Sequence, residues 1–469
     1  MAPDVSILTA VYRPEPEHIR AAWESVRGQE GVEWEWVVQV DGSDEELAAW
    51  LPADVVSDPR VHAAANGRRF EVAVTRNLGL VRCGAGFIQH LDQDDVLMPG
   101  ALAAGLQALR ADERLAFCFG EVSYLLPGGR IEPRPEYKRL APGLLEAGEM
   151  TARWRAGEPY GFVTNSLMWR KQYLYAYGGW AALSIWADNG IIFPVADRHP
   201  VLAIEHETVL YRRHPGQTSR QPATAALVAA QRPFIPRRLD AMRRIMGEPV
   251  AGADEHAAPG SRPDISVLTA LLRPTRDEVL RAWDALRAED GPSWEWVVQA
   301  DGTEEDLRAW LPEEIRADSR LRAAANGREF GAAITRNLAL VRCGAELVRQ
   351  LDQGDWLRPG SLTEGVDLLR SQDGLAFSFR ATAPVSGPRR LADVTWRDEH
   401  LYAYGGWAAL PGWEDLGIAM PVAHRHRCAF LGAEERREQP GGDPLEEALE
   451  QAPQPFIARR LAALDELLG

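Results

Sequence analysis

VSILTAVYRP at residues 5–14 and WEWVVQVDGS at residues 34–43 are the two stretches that decide the fold. Each opens with a short apolar run that ends in turn residues, which is typical of a strand buried on both faces. Between them, Pro14 to Val26 carries Ile19 and Trp23 on one helical stripe. A helix between two buried strands indicates a β–α–β unit with parallel strands.

The same alternation continues along the chain. Residues 76–82 read as a helix, GFIQHL at 86–91 as a strand, and LAFCFGEVSYLL at 115–126 as a further strand. The sequence therefore predicts an α/β fold with a mostly parallel central sheet and helices on both faces. Ligands of such sheets bind at the carboxyl ends of the strands, where Asp41 and the acidic run 92–95 fall.

The whole pattern occurs twice in 469 residues, with a constant offset of 260 from Asp41/Asp301 to Asp92/Asp352. This spacing indicates a duplicated domain rather than a short-period solenoid. We expect a first domain over residues 1–246 and a second over 264–469. The stretch 247–263, rich in Gly, Pro and Ala, is predicted to be a linker.

The second repeat lacks groups that carry chemistry in the first. The replacements are Gly354 for Asp94, Leu272 for Tyr12, and Arg437–Gln439 where a counterpart of His214 is expected. The offset also falls to 227 at Tyr175/Tyr402, so the second repeat lacks 33 residues of the region 121–167. We predict that the first repeat is catalytic, that the second is degenerate and non-catalytic, and that the missing segment covers the acceptor.

Composition excludes some classes of function. A net charge of −16 argues against broad binding of nucleic acid, which needs a positive surface. Four cysteines without a CxxC pair indicate reduced thiols and a cytoplasmic protein. We expect no signal peptide and no transmembrane segment. Most of the 16 tryptophans recur in register, which favours packing roles, whereas Trp154 has no counterpart.

Asp92 and Asp94 have the spacing of a divalent-cation site just past a strand. Mg²⁺ and Mn²⁺ prefer oxygen ligands and keep positions open for substrate phosphates. The alternative is a solvated acidic turn that stabilises the start of the next helix. His214 is likewise either a ligand or a surface residue of a Pro-Gly loop, and Arg76 either a nucleotide contact or a plain helix charge.

The order of the motifs resembles the family-2 glycosyltransferases, the inverting enzymes with the nucleotide-diphosphate-sugar fold. The motifs that carry the resemblance are the DGS turn at 41–43, Asn66-Gly67, Arg76-Asn77, LDQDD at 91–95, YGGW at 177–180, Asp188, and YRRHPGQTS at 211–219. The resemblance covers nearly all of the first repeat. The chain departs from the family pattern at Ala10, Arg13 and Ala187, where the family usually has Pro, Asn and Glu.

The resemblance implies two Rossmann-like nucleotide-sugar transferase domains and a role for each matching residue. Tyr12, Asp41 and Asn66 would hold the nucleobase. Arg76 would face the diphosphate and Asp92 the ribose. Asp94 and His214 would bind Mn²⁺ or Mg²⁺. Asp188 would be the general base, with Glu121 or a carboxylate within 136–149 as the alternatives.

The predicted function is metal-dependent, inverting transfer of a sugar from a nucleotide-diphosphate-sugar, of which a UDP-sugar is the first choice. The acceptor would be a hydroxyl of a soluble small molecule, peptide or glycan. The alternatives are S-glycosylation of a peptide cysteine, nucleotidyl transfer, and a non-catalytic nucleotide-binding or scaffold protein. The sequence does not indicate the oligomeric state.

Overall fold

A computed structural model describes residues 2–134, 141–158, 162–217, 222–250, 262–355, 357–381, 391–431 and 455–468. They divide into two compact units. The first comprises Met1–Trp180, Ala187–Ala226 and Ala462–Gly469, and the second comprises Ala181–Trp186 and Leu227–Leu461. Within the described ranges, none of the helices combines the length and apolar character needed to cross a bilayer.

The first repeat has ten described strands, which form one sheet. They are β1 (Val5–Val11), β2 (Trp34–Val40), β3 (Val61–Ala65), β4 (Phe87–His90), β5 (Val96–Leu97), β6 (Phe117–Leu125), β7 (Ile131–Pro133), β8 (Gly143–Leu145), β9 (Leu167–Arg170) and β10 (Val201–Arg212). Its helices are α1 (Pro16–Arg27), α2 (Asp44–Trp50), α3 (Ala53–Val56), α4 (Val72–Arg82), α5 (Ala101–Ala111), α6 (Glu149–Arg155), α7 (Lys171–Ala176), α8 (Asn189–Arg198), α9 (Pro222–Gln231) and α10 (Phe234–Ile245). Short 3-10 turns lie at Pro127–Gly129 and Thr164–Ser166.

Eight strands of this sheet follow the order β3-β2-β1-β4-β9-β6-β10-β5, while β7 pairs with β6 and β8 pairs with β10 beside this path. Strands β1 to β4 are parallel, as the sequence predicts. Strand β9 is antiparallel to both of its neighbours, β4 and β6, and β10 runs parallel to β6. The fold is thus the expected α/β architecture with a mixed, mostly parallel sheet.

Helices pack on both faces of the sheet because its central strands are apolar on both sides. On one face, Val5 and Ile7 of β1 share a buried core with Trp23 of α1. On the other face, α4 lies so close that a Cβ added at Gly79 would be 2.5 Å from Cδ1 of Leu8. The glycine therefore sets the distance of α4 from the sheet, and α4 carries Arg76 to the carboxyl edge.

The second repeat has seven described strands in one sheet. They are β11 (Ile265–Leu271), β12 (Trp294–Ala300), β13 (Leu321–Ala325), β14 (Leu347–Gln350), β15 (Leu375–Ala381), β16 (Leu391–Arg397) and β17 (Arg427–Phe430), in the order β13-β12-β11-β14-β16-β15-β17. Its helices are α11 (Arg276–Arg287), α12 (Glu304–Trp310), α13 (Glu313–Arg316), α14 (Ala332–Leu340), α15 (Ser361–Ser371), α16 (Asp398–Ala403), α17 (Leu416–Arg425) and α18 (Pro455–Leu468).

The register also repeats: Val5 pairs with Trp34 in the first sheet, and Ile265 pairs with Trp294 in the second. The compact units do not end where the sequence repeats end. Residues 227–246, which the sequence assigns to the first domain, belong to the second unit. The predicted linker 247–263 lies mostly outside the described residues.

Helix α10 packs on α16 inside the second unit. Phe234 is fully buried, and its ring centroid lies 5.6 Å from that of Tyr402. Nη1 of Arg237 donates to Oη of Tyr402 at 2.8 Å and to the carbonyl oxygen of Val341 at 2.7 Å. Residues from the end of the first repeat thus supply core to the second unit.

Phe234→Ala is therefore expected to destabilise the second unit, although the residue precedes the second repeat. Loss of a buried phenylalanine ring costs about 3–5 kcal/mol of unfolding free energy. Hydrogen–deuterium exchange should show lost protection in peptides from residues 391–403. Met246→Ala, at a side chain that is 57% exposed, is the control. Loss of protection confined to residues 5–97 would contradict this assignment.

Candidate functional site

The eight residues predicted for the site lie along the carboxyl edge of the first sheet or on the segments beside it. Tyr12, Asp41 and Asn66 directly follow β1, β2 and β3, and Asp92 and Asp94 follow β4. Arg76 is on α4, Asp188 directly precedes α8, and His214 follows β10. Contacts join them into two groups: one surrounds Arg76 and Asp94, and the other surrounds Asp41.

Arg76 connects two of the predicted carboxylates. Its side chain is buried, with Nη2 2.8 Å from Oδ1 of Asp92 and Nη1 2.7 Å from Oδ1 of Asp188. Oδ1 of Asp188 also accepts a 2.8 Å hydrogen bond from the indole N–H of Trp180. Both terminal nitrogens of Arg76 are therefore engaged by carboxylates, and the arginine fixes the positions of Asp92 and Asp188.

The second unit keeps this arrangement without a counterpart of Asp94. Nη2 of Arg336 lies 2.6 Å from Oδ1 of Asp352, and Nη1 lies 3.3 Å from Oδ1 of Asp415. Gly354 stands at the position of Asp94, with φ of +83°. The predicted replacement of His214 by residues 437–439 lies outside the described residues.

The pKa values of the three carboxyl groups in the acidic run 92–95 are shifted in different directions. Burial raises the pKa of Asp92, but the charges of Arg76 and His90 outweigh it, so that pKa lies well below its usual range. Burial, and then the charge of Asp92, raise the pKa of Asp94. Burial and both neighbouring carboxylates raise the pKa of Asp95 well above its usual range. Asp92 is thus the stable anion, and further negative charge beside it is unfavourable.

Asn165 holds the acidic run together, and the sequence analysis did not identify it. This buried side chain lies in the turn Thr164–Ser166. Its Nδ2 donates to Oδ2 of Asp92 at 3.1 Å and to Oδ2 of Asp95, and its Oδ1 accepts from the backbone N–H of Asp92 at 3.1 Å. By the register of Trp169 and Trp396, its counterpart is Ala392. This Asn-to-Ala difference between the repeats was the available signal.

His214 lies against Asp94, with Nε2 2.8 Å from Oδ2. This separation suits two neighbouring ligands of one octahedral ion, whose ligand bonds of about 2.0–2.1 Å place adjacent donors roughly 3 Å apart. No group of three His, Cys, Asp or Glu side chains in the described ranges forms a metal site. A carboxylate oxygen and an imidazole nitrogen at this separation are a donor pair that would leave the other positions of an octahedral ion for phosphate oxygens and water.

Residues around His214 complete its surroundings. Nε of Arg212 donates to the backbone oxygen of Asp94 at 2.7 Å, and its backbone N–H donates to Oδ1 of Asp95 at 2.8 Å. The ring of His18 lies 4.8 Å from that of His214. Burial, and then the charge of Arg212, lower the pKa of His18. The lowered pKa of His18 reduces the positive charge next to His214.

The second group orders the loop after β3. Oδ1 of Asp41 accepts from Nδ2 of Asn66 at 3.0 Å and from the N–H of Phe70 at 2.7 Å, and Oδ2 accepts from the N–H of Glu71 at 3.0 Å. Tyr12 exchanges two backbone hydrogen bonds with the side-chain amide of Gln93, at 2.8 and 3.0 Å. Tyr12 is thereby tied to the acidic run.

The same loop bonds recur in the second unit. Asp301 accepts from Asn326 at 2.9 Å, from the N–H of Phe330 at 2.6 Å and from the N–H of Gly331 at 2.8 Å. Because both repeats have them, these bonds serve at least the shape of the loop. Asp41 and Asn66 therefore position the loop at the predicted nucleobase end.

Glu71 is a further residue that sequence reasoning missed. Its backbone has φ 87° and ψ 158°, a region that only glycine adopts readily. Gly331 occupies the equivalent position, with φ 92° and ψ 170°. Holding a non-glycine residue there costs about 1–3 kcal/mol. The first unit therefore keeps a glutamate where the fold favours glycine.

The segment that the second repeat lacks lies partly outside the described residues, at 135–140 and 159–161. Its described part includes α6, which packs on α8. The ring of Trp154 stacks on Phe193 at a centroid distance of 4.6 Å, and Oγ1 of Thr151 donates to Oδ1 of Asp197 at 2.7 Å. Because α8 begins directly after Asp188, the segment is anchored on the helix that leads from this carboxylate.

Comparison with known proteins gives related sequences and folds. The chain is 25% identical over 390 residues to the uncharacterized protein y4gI of Sinorhizobium fredii, covering 78% of this chain and 40% of that protein. It is 26% identical over 181 residues to the O-antigen biosynthesis protein RfbC of Myxococcus xanthus, covering 38% of this chain and 13% of that protein. The chain thus spans less than half of the length of either relative.

Among solved structures, the chain is similar to residues 1–349 of S. aureus TarS in complex with UDP-GlcNAc. The identity is 14% and the TM-score 0.39, over 53% of this chain and 68% of that one. The family described as glycosyl transferase family 2 matches residues 6–177, which include β1 through α7 and the acidic run. Residues 6–177, which lie within the first repeat, therefore carry a domain that matches glycosyl transferase family 2.

Proposed function

We propose that the first unit transfers a sugar, with inversion, from a UDP-sugar to a hydroxyl group of a soluble acceptor, and that the transfer depends on a divalent cation. The observation that carries this proposal is the pairing of Asp92 and Asp188 with buried Arg76 beside the Asp94–His214 contact, at the edge where α/β sheets bind ligands. The family match supplies the class of reaction.

Asp188 is proposed as the general base. Both of its side-chain hydrogen bonds, from Arg76 and Trp180, use Oδ1. Within the described residues, Oδ2 accepts no hydrogen bond, and a quarter of the side chain is exposed. A base must lie within hydrogen-bond reach of the proton that it removes, and Oδ2 is free to receive the acceptor hydroxyl.

Asp94 and His214 are proposed to bind Mn²⁺ or Mg²⁺, and Asp92 is proposed to contact the ribose. The bound ion would neutralise charge that develops on the nucleoside diphosphate leaving group. Asp92 keeps its own charge because Arg76 and His90 lower its pKa. Tyr12, Asp41 and Asn66 are proposed to line the part of the donor site that receives the nucleobase. Arg76 acts by holding Asp92 and Asp188 in place.

The acceptor is proposed to lie beside α6. This helix belongs to the segment absent from the second repeat and packs on α8 through Trp154 and Phe193. A small molecule, peptide or glycan with a free hydroxyl meets the chemical need. The second unit, with Gly354 and Leu272, is proposed to be non-catalytic.

The test is turnover of UDP-sugars with and without Mn²⁺, measured as UDP release by the full chain. We expect release that requires Mn²⁺ and that chelation abolishes. UDP with Mn²⁺ should raise the melting temperature in a thermal-shift assay. A ligand at 100 times its Kd adds about 2.7 kcal/mol to the free energy of unfolding. The proposal is contradicted if no nucleoside diphosphate binds and no nucleotide-sugar is turned over. Release of pyrophosphate instead of a nucleoside diphosphate would favour nucleotidyl transfer.

A further inference from the structure

Three differences between the repeats fall in one contact cluster of the first unit. Tyr12 has Leu272 as its counterpart, Arg69 has Glu329, and Glu71 has Gly331. In the first unit, Cζ of Arg69 lies 4.7 Å from the ring centroid of Tyr12, and Nη2 lies 2.8 Å from Oε1 of Glu71. We call Tyr12, Arg69 and Glu71 the nucleoside cluster.

The backbone of the loop does not explain the glutamate. In both units, the N–H at this position donates to the carboxylate of the aspartate after the second strand, Asp41 or Asp301. Both residues adopt nearly the same φ and ψ, which suit glycine. The first unit thus retains a strained side chain whose geometry the loop would form more easily without it.

The second unit has a different contact at the position of the nucleoside cluster. Nη2 and Nε of Arg273 lie 2.5 and 2.8 Å from Oε1 of Glu329, so an ion pair closes this place. In the first unit the corresponding pair is Arg13 and Arg69, two cations that lie 5.3 and 4.7 Å from the ring of Tyr12. They cannot pair with each other, and Arg69 pairs with Glu71 instead, at 2.8 Å.

We infer that Arg69 and Glu71, together with Tyr12, determine which nucleobase the donor carries. The Glu71 carboxylate accepts a hydrogen bond from an N–H of the base edge, and Arg69 donates to the neighbouring ring acceptor. Tyr12 connects the cluster to the diphosphate end, because its backbone N–H donates to Gln93, which lies between Asp92 and Asp94. This inference rests on the proposed function and adds two specificity-determining residues to it.

The decisive variant is Glu71→Gly, which introduces the residue of the second repeat. Binding of UDP, GDP, ADP and CDP, each with Mn²⁺, is measured by calorimetry on the full chain, together with the melting temperature. We expect the melting temperature to rise because strain is removed, while affinity for the preferred nucleotide falls at least tenfold. The ratio of Kd values between the best and the worst base should approach one. Affinity for inorganic pyrophosphate should stay unchanged.

Two further variants complete the test. Arg69→Glu recreates the Arg273–Glu329 pair in the first unit and should also weaken the preferred nucleotide at least tenfold. Gly331→Glu, the matched control in the second unit, should lower the melting temperature and leave nucleotide affinity unchanged. The inference is overturned if Glu71→Gly keeps the base preference of the wild type. If the wild type binds no nucleoside diphosphate, the proposed function fails first, and the inference fails with it.

Discussion

Asp94→Ala is expected to lower the rate of sugar transfer by about 10²–10⁴-fold at saturating donor. The carboxylate is one of the two protein groups proposed to hold the cation, and charge stabilisation by a bound ion contributes several kcal/mol to the transition state. Each 1.36 kcal/mol corresponds to a factor of ten in rate. Turnover with Mn²⁺ at several donor concentrations measures the loss.

The stability of the Asp94→Ala variant separates this effect from misfolding. Burial and Asp92 raise the pKa of Asp94, so its negative charge disfavours the folded state at neutral pH. The alanine variant should therefore melt at the wild-type temperature or above it while losing activity. Asp352→Asn, at the same strand end of the second unit, is the control and should leave turnover unchanged. A rate near that of the wild type in Asp94→Ala would refute the metal assignment.

Asp188→Asn is expected to lower kcat by about 10²–10⁴-fold, the usual contribution of a general base. The amide oxygen can still accept from Arg76 and Trp180, so the geometry around Oδ1 is preserved. The replaced atom is Oδ2, which would receive the proton. Kd for the nucleoside diphosphate should therefore stay near the wild-type value, so that the loss appears in kcat.

Asp415→Asn is the matched control for this variant, because Asp415 stands in the same relation to Arg336 in the second unit. It should change neither kcat nor donor affinity. If Asp188→Asn retains kcat, the base lies elsewhere. Glu121 is then the next residue to test, followed by Glu146 and Glu149, whereas residues 136–140 lie outside the described part of the chain.

Periodic apolar runs predicted the central elements of the fold. Strands β1, β2 and β4 and helix α1 lie within a few residues of their predicted positions, because each is a strong, bounded pattern. Strand β3 was missed because VHAAA is short and weakly apolar. The antiparallel direction of β9 was also not predictable, since a buried strand has the same composition in either direction.

The limits of the compact units, and the roles of two site residues, could be identified only from the three-dimensional structure. Helix α10 has an apolar stripe, but the sequence of the stripe does not indicate which element it packs against. In the structure this element is α16. Asn165 belongs to none of the motifs, and its role follows from its contacts with Asp92 and Asp95. The strain at Glu71 is a property of the backbone, which a sequence shows only through comparison with Gly331.

The first unit is built from segments that lie far apart in the sequence, which affects its assembly during translation. Residues 462–469 belong to this unit, and Nε2 of Gln172 lies 3.2 Å from Oε1 of Glu466. Translation reaches residue 462 only after the whole of Leu227–Leu461. At about 5–20 residues per second, this delay is roughly 10–50 s. During that interval the nascent first unit lacks residues 462–468, and Gln172 lacks its contact with Glu466.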